Sequence, residues 1–173
     1  MGNKILVTYA SQAGSTAGVA EAIGKSLSEV GVQVDIMPMR NVDNLTPYQA
    51  IVAGSAIHGQ KWLPEAMKFI HDHRAELLHK PVATFMVCIT LSMANAYQYR
   101  DGLKDWMGPV RELVHPVSEG YFAGALDFSK LPFSFNVLGM RLVVLSGMWK
   151  EGDHRDWTAI QAWAESLYPL LLK

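Results

Sequence analysis

The sequence has few of the residues that characterise disulfide-bonded, disordered or membrane-spanning proteins. Its 173 residues include one cysteine, Cys88, which excludes a disulfide framework and a thiolate metal site and fits a reducing, cytoplasmic location. Charged residues make up 18% of the chain, hydrophobic residues 50%, and the formal net charge is −1. This balance excludes a disordered chain, and the lack of a basic stripe argues against nucleic-acid binding.

Long apolar runs are also missing. No stretch reaches the roughly 20 apolar residues of a membrane span. The first ten residues, MGNKILVTYA, already have the pattern of a strand, so we expect no signal peptide. The sequence therefore predicts a globular protein that does not span a membrane.

Strand and helix patterns alternate along the chain. The predicted strands are Lys4–Tyr9, Gln33–Met39, Ala50–Ala53, Val82–Ile89 and Val117–Ala123. The predicted helices are Thr16–Val30, Leu63–Leu78, a third from about Asn95 to Val114 with a kink at Gly108-Pro109, and a last from an Asp156 N-cap to about Leu167, before Pro169. The order predicts a single α/β domain over residues 1–173, a doubly wound five-stranded parallel sheet with helices on both faces.

The loop between the first strand and the first helix combines hydroxyl groups with a glycine. Ser11, Ser15 and Thr16 supply hydroxyls, Gly14 allows close approach of the backbone, and residues 11–16 include no Lys or Arg. The first helical turn also aims free N–H groups at the carboxyl edge of the sheet. A plain helix N-cap needs only one hydroxyl. The excess predicts an anion site, with a phosphate as the bound group.

Motifs of other nucleotide-binding and catalytic folds are missing. The chain has no G-x-x-x-x-G-K-[ST] loop and no G-x-S-x-G elbow, which argues against a Walker ATPase and an α/β-hydrolase. The first strand ends without the carboxylates that a receiver domain needs. His71, His73 and His79 cluster at a helix end without a cysteine or a second cluster, so we interpret them as a solvated face and predict no metal site.

The loops after the first, third and fourth strands, in this order, resemble those of flavodoxin-like flavin-binding domains. The resemblance implies a flavodoxin-like fold with FMN as cofactor. It assigns the FMN phosphate to Ser11, Gln12, Ala13, Gly14, Ser15 and Thr16. It places the isoalloxazine ring between Ser55, Ala56, Ile57, His58 and Gly59 on one side and Thr90, Leu91, Ser92 and Asn95 on the other. Trp62, Tyr97 and Tyr99 are candidates for stacking on the ring, and no motif chooses among them.

The stretch after the fifth strand carries a second resemblance. The run Gly120–Asp127, the apolar segment Leu131–Met148 and the pair Asp156-Trp157 resemble the branch that contains the bacterial menaquinone-dependent protoporphyrinogen oxidases. This resemblance implies an FMN-dependent oxidoreductase of heme biosynthesis that oxidises protoporphyrinogen IX and passes electrons to quinone. The apolar segment differs from that branch in being mostly aliphatic, with Arg141 as its only charge.

Two functions remain open from the sequence. Gly54–Trp62 and Thr90–Arg100 contain no Asp or Glu, which favours flavin reduction and therefore oxidation of an apolar or porphyrinogen-like substrate. The alternative is an FMN electron carrier that docks on a protein redox partner. Leu131–Met148 is predicted to contact a second copy of the chain, a substrate or quinone, or the inner face of the cell membrane. No catalytic residue is predicted, and His58 is the best-placed titratable group.

Overall fold

The computed structural model describes residues 4–93, 96, 100–127, 143–147 and 150–172. The strands are β1 Lys4–Ala10, β2 Gln33–Pro38, β3 Ala50–His58, β4 Lys61–Trp62, β5 Val82–Cys88, β6 Ser118–Ala123, β7 Ala125–Leu126 and β8 Gly152–Asp153. The helices are α1 Ser15–Glu29, α2 Pro64–Asp72, α3 Arg74–Leu77, α4 Arg100–Asp105, α5 Gly108–Val114 and α6 Trp157–Leu171. The predictions at Asn95, Tyr97 and Tyr99, and most of Leu131–Met148, fall outside the described residues.

Five strands form a parallel sheet in the order β2-β1-β3-β5-β6, which confirms the predicted fold class. Ile5 on β1, for example, pairs with Val34 on β2 and with Ala50 on β3. The chain order reverses at β1, because β2 lies on one side of it and all later strands of the sheet lie on the other. Ligands of doubly wound folds bind at the carboxyl edge beside such a reversal.

Each face of the sheet carries a hydrophobic core. One core lies under α1 and α6, and the other lies under the helices from α2 to α5. All seven residues of β5 are buried, as the unbroken apolar run predicts for a central parallel strand. Gly54 serves this packing, because a Cβ at that position would lie 2.1 Å from the ring of Phe85 on the neighbouring strand.

The connections on either side of the third strand are short. The predicted elements include no helix between the second and third strands, and the described chain between β2 and β3 carries only the 3-10 turn Met39–Asn41. The third strand extends to His58 rather than ending at Ala53, because it folds back on β4 in a tight hairpin. The two residues at the tip, Gly59 and Gln60, both have positive φ angles, which suits a two-residue hairpin turn.

Two helix predictions are also wrong, one in the interior of the helix and the other at its end. The predicted helix Leu63–Leu78 divides at His73 into α2 and α3. The last helix does not end before Pro169 but continues to Leu171, which is 2% exposed in the core beside α1. Burying Leu171 offsets the one hydrogen bond that proline removes from the final turn. None of the described helices is long and apolar enough to cross a membrane.

Candidate functional site

The loop after β1 is held by its own backbone. Gly14 has φ of 87°, a left-handed conformation that favours glycine, and it forms the N-cap of α1. Its N–H donates to the Ser11 hydroxyl oxygen at 3.0 Å, which turns the loop back on itself. No described side chain caps α1, so the N–H groups of its first turn remain available to an anion.

Thr16 provides the most specific sign of a ligand in this loop. Its side chain is completely buried, and its hydroxyl oxygen has no hydrogen-bond partner among the described residues. An unpaired buried hydroxyl costs about 1–3 kcal/mol, so native proteins usually supply it with a partner. A phosphate oxygen can supply such a partner, and the first-turn N–H groups can supply further donors. The loop therefore fits the phosphate group of FMN.

A cleft opens beside this loop at the carboxyl edge of the sheet, with about 570 Å³ of free space extending to solvent. We call it the carboxyl-edge cleft. Its described lining comes from the first loop, the end of β3, the end of β5 and the residues after β6: Ser11, Gln12, Ala13, Ser15, Ala56, Ile57, His58, Val87, Ile89, Gly124, Ala125, Leu126 and Asp127. Of the predicted site residues, those from Ser11 to Ala13, Ser15 and those from Ala56 to His58 lie together here.

Other predicted site residues have different positions. Ser55 is buried, and its hydroxyl donates to the Ala56 carbonyl at 2.8 Å and accepts from the Leu63 N–H at 3.0 Å. It therefore holds the start of α2. The hydroxyl of Ser92 donates to the Ile89 carbonyl at 2.7 Å, within the 3-10 turn Ile89–Ser92. Both hydroxyls are thus engaged within the protein.

The remaining predicted residues lie around the cleft rather than in its described lining. Gly59 is at the tip of the β3–β4 hairpin and lines a neighbouring groove. Leu91 lines a separate pocket beside β6, and Thr90 belongs to the same 3-10 turn as Leu91. Asn95 falls outside the described residues. The described lining therefore brings residues 11–13 and Ser15 together with residues 56–58, and it includes neither Gly14 nor Thr16 nor any of the described residues predicted after β5.

Trp62 does not stack on a ligand in the cleft. It is 3% exposed, and its indole N–H donates to the Met107 sulfur at 3.1 Å in the core below the hairpin. Among the described residues that line the cleft, none is aromatic. The other two stacking candidates, Tyr97 and Tyr99, fall outside the described residues.

The residues after β6 form a wall of the cleft that the sequence analysis did not assign to the site. Gly124 is buried, and a Cβ there would lie 3.5 Å from the Ser15 hydroxyl and 3.3 Å from Val87. The chain therefore crosses the end of β5 and reaches the phosphate loop. The strand order could have indicated this wall, because β6 lies beside β5 in the parallel sheet and ends at the same edge.

Residues 11–16 contain no Lys or Arg, but the cationic side chain of Arg155 lies beside them. Arg155, which precedes α6, donates from Nη1 to the Ser15 carbonyl at 3.3 Å. Its Nε and Nη2 each bind the Asp153 carboxylate at 2.7 Å. These hydrogen bonds lower the pKa of Asp153 below its ordinary value. The guanidinium charge is thus paired, so it supports the loop mainly through contact.

The described lining of this edge is formed mainly by uncharged groups. Among the described residues, no group of three or more His, Cys, Asp or Glu side chains is placed to hold a metal ion. The described titratable side chains that line the cleft are His58 and Asp127. The described lining is otherwise formed by apolar, amide and hydroxyl groups, which can bind and orient a cofactor.

A family model for the flavodoxin domain matches residues 6–156. The chain belongs to the flavodoxin domain family. Flavodoxin domains bind FMN and transfer electrons, which confirms the cofactor predicted from the sequence. No curated protein sequence matches this chain.

Solved flavodoxins share the fold of this chain at low sequence identity. Oxidised flavodoxin 2 from Bacillus cereus is 22% identical, with a TM-score of 0.59 over 96% of this chain and 98% of that one. Flavodoxin 1 from the same organism is 19% identical, with a TM-score of 0.52 over 79% and 90%. Rubredoxin oxygen:oxidoreductase from Desulfovibrio gigas is 16% identical, with a TM-score of 0.52 over 99% of this chain and 37% of that one.

Proposed function

We propose that this flavodoxin domain is an FMN-dependent oxidoreductase with its own apolar substrate. The FMN phosphate binds at residues 11–16, where the buried hydroxyl of Thr16 is the observation that carries the assignment. The ring lies toward Ser55–Gly59 and Thr90–Asn95, with Gly124–Asp127 as a further wall. FMN supplies the redox chemistry, and the protein supplies binding, orientation and electrostatics.

The connection between the cleft and the apolar segment supports such a substrate. Gly124–Asp127 lines the cleft and leads directly into Leu131–Met148. The chain then returns through β8, which pairs with β7 as Ala125 with Asp153 and Leu126 with Gly152. The described strands that flank the apolar segment in the chain are therefore paired with each other, and the first of them lines the cleft, where an apolar substrate or acceptor can approach the cofactor.

The two loops assigned to the ring support the same direction of electron flow. Gly54–Trp62 and Thr90–Arg100 contain no carboxylate, and Asp127 is the one carboxylate among the described residues that line the cleft. A reduced flavin tends to be anionic, so a surrounding poor in carboxylates lowers the cost of reducing it. This property suits a domain that accepts electrons from a substrate.

Within this proposal, the substrate is porphyrinogen-like and the acceptor is a quinone. The support is the resemblance of Gly120–Asp127, the apolar segment and Asp156-Trp157 to the menaquinone-dependent protoporphyrinogen oxidases. Because quinone is dissolved in the bilayer, the reaction also requires contact with the membrane surface.

The test begins with the visible spectrum of purified protein after FMN is added. Anaerobic mixing with protoporphyrinogen IX should bleach the bound flavin, and a menaquinone analogue should restore its absorbance. Thr16→Val protein at the same FMN concentration provides the low-occupancy control. Bound flavin that neither protoporphyrinogen nor simple hydride donors reduce would exclude the enzymatic proposal.

An electron carrier is the second candidate, and one observation favours it. The match to flavodoxin 2 from Bacillus cereus covers 96% of this chain and 98% of that one, so the chain has the extent of a whole flavodoxin. A carrier that docks on protein partners should take up electrons in two well-separated one-electron steps. A single two-electron step in a redox titration would argue for the substrate-oxidising enzyme.

A further inference from the structure

Arg155 makes more contacts than an ordinary surface arginine. Besides its two bonds to Asp153 and its bond to the Ser15 carbonyl, its guanidinium lies 4.4 Å from the centre of the Trp157 ring. Its side chain is only 17% exposed. The guanidinium is therefore held in one place by an ion pair with Asp153, by stacking on Trp157 and by a hydrogen bond to the Ser15 carbonyl.

One side of this contact is the antiparallel ribbon formed by β7 and β8. Asp153 belongs to β8, and the ribbon is extended by a hydrogen bond from the His154 N–H to the Gly124 carbonyl at 3.2 Å. The ribbon joins the two ends of the chain stretch 127–151. Its first strand also contributes Ala125 and Leu126 to the carboxyl-edge cleft.

The other side of the contact is the first turn of α1. A Cβ added at Gly18 would lie 2.5 Å from Arg155 Nη1, so the guanidinium packs directly on the helix backbone where glycine leaves room. Ser15, whose carbonyl accepts from Arg155, lines the cleft beside the phosphate loop. Arg155 therefore contacts both the phosphate-binding turn and the ribbon.

We propose that Arg155 is a positioning residue that couples phosphate binding at residues 11–16 to formation of the β7–β8 ribbon. The proposal rests on the phosphate assignment made above. A phosphate bound to the first turn of α1 fixes the position of the Ser15 carbonyl. Because Arg155 binds both this carbonyl and Asp153, the position of Asp153 is fixed as well. Coupling of this kind is reciprocal, so an ordered ribbon must also increase affinity for the phosphate.

Hydrogen exchange at the His154 amide reports the ribbon directly, because that N–H bonds to Gly124 across it. The exchange rate is measured in apo protein and with saturating FMN, riboflavin or inorganic phosphate. FMN and phosphate should slow exchange at least fivefold, whereas riboflavin, which lacks the phosphate, should not. Dissociation constants for FMN and riboflavin are measured in parallel.

Two variants test Arg155 by different means. Arg155→Met removes the guanidinium and keeps the aliphatic length, while Gly18→Ala displaces the guanidinium sterically. Each should weaken FMN about five- to tenfold, leave riboflavin unchanged, and abolish the slowing of His154 exchange by phosphate. Arg40→Ala is the matched control, since that arginine pairs with Glu65 at 3.9 Å and lies outside the described cleft lining.

The outcomes separate this inference from the proposed function. If FMN does not bind but phosphate slows His154 exchange in the wild type and not in the variants, the proposed function fails and the coupling stands. If FMN binds and slows exchange equally in wild type and both variants, the coupling is wrong. A purely structural role would raise exchange equally with and without phosphate, and this result would also overturn the inference. If one variant fails to fold, the other decides.

Discussion

The two ends of the carboxyl-edge cleft are built on different principles. At the phosphate end, residues 11–16 offer backbone N–H groups and hydroxyls, and Arg155 supports them from behind. At the ring end, the described lining is mainly apolar, from Ile57, Val87 and Ile89, with the exposed His58 at its rim. One end offers hydrogen-bond donors that suit an anion, and the other presents a mainly apolar surface.

The contrast suggests a division of roles between the two ends. The FMN phosphate does not change when the ring gains electrons, so contacts to it increase affinity equally in both redox states. Such contacts do not alter the potential, because only differential interactions shift an equilibrium. Residues beside the ring interact with a charge that changes when the flavin is reduced, so they can alter the potential. We therefore expect substitutions at the two ends to separate affinity from potential.

The largest effect is expected from Thr16→Val, which removes the unpaired hydroxyl and preserves shape. Loss of a hydrogen bond to a charged phosphate should weaken FMN about ten- to a hundredfold and leave riboflavin affinity unchanged. The apo protein should become slightly more stable, because a buried polar group without a partner is removed. Flavin fluorescence titrations and urea denaturation measure the two effects.

Thr84→Val is the matched control for that substitution. Thr84 is also completely buried with an unpaired hydroxyl among the described residues, but it lies within β5, where it pairs with Ala53 and Glu119, and not in the first turn of α1. Thr84→Val should raise the stability of the apo protein by about as much as Thr16→Val does and leave FMN affinity unchanged. Equal loss of FMN binding in both variants would show that Thr16 does not contact the phosphate.

Gly14→Ala should come next in size. The left-handed φ of 87° costs a side chain about 1–2 kcal/mol, although a Cβ at Gly14 meets no atom within 4 Å. Gly31, just beyond the same helix, has φ of 88° and equal space, so Gly31→Ala carries the same strain. Both variants should lose similar stability, and only Gly14→Ala should also weaken FMN, by about tenfold. If Gly14→Ala leaves FMN affinity unchanged, the left-handed turn at Gly14 is not needed for phosphate binding.

The geometry of the loop at residues 11–16 could be predicted from sequence because its signals are local, and the phosphate it would bind stays a prediction. A strand followed by Ser11, Gly14 and Thr16 and then a helix determines where the N–H groups point. The alternating patterns likewise predicted the parallel sheet. The division of one helix at His73, the extension of another through Pro169 and the burial of Trp62 depend on tertiary packing, which a single sequence does not display.

The wall formed after β6 was harder to predict for a different reason. Gly124–Asp127 reaches the phosphate loop only because β7 pairs with β8, which lies 25 residues further along the chain, and because Arg155 binds Ser15, 140 residues away. No local motif encodes such contacts. The resemblance pointed to this run as characteristic of a branch but did not assign it to the site.

Ile57→Glu tests the ring end. A carboxylate in the cleft lining should oppose charge on the reduced flavin and lower the midpoint potential by about 20–50 mV, with FMN affinity changed less than about threefold. Val117→Glu is the control, since Val117 is 45% exposed and precedes β6, at the opposite edge of the sheet. If both variants have the wild-type potential, the ring does not lie against Ile57.

The smallest effect is expected from Asp153→Asn, which weakens the support behind the phosphate end. The pair with Arg155 is partly exposed, so its loss should lower the free energy of unfolding by less than about 1 kcal/mol. FMN should weaken about twofold. Asp72→Asn, which removes an exposed carboxylate paired with Lys68 on α2, should leave FMN affinity unchanged.

The pH dependence of that small effect has a definite sign. Hydrogen bonds from Arg155 lower the pKa of Asp153 from 3.8, so the unfolded chain takes up the proton first as the pH falls. The stabilisation is complete above that ordinary value and is lost as the pH falls through the lower pKa of the folded state. Unfolding free energies of wild type and Asp153→Asn should differ by a constant amount from pH 7 to pH 5, and the difference should shrink as the pH falls below 3.8. A difference that does not shrink below pH 3.8 would mean that the carboxylate is not held by Arg155, and the phosphate end would then lack the support that distinguishes it from the ring end.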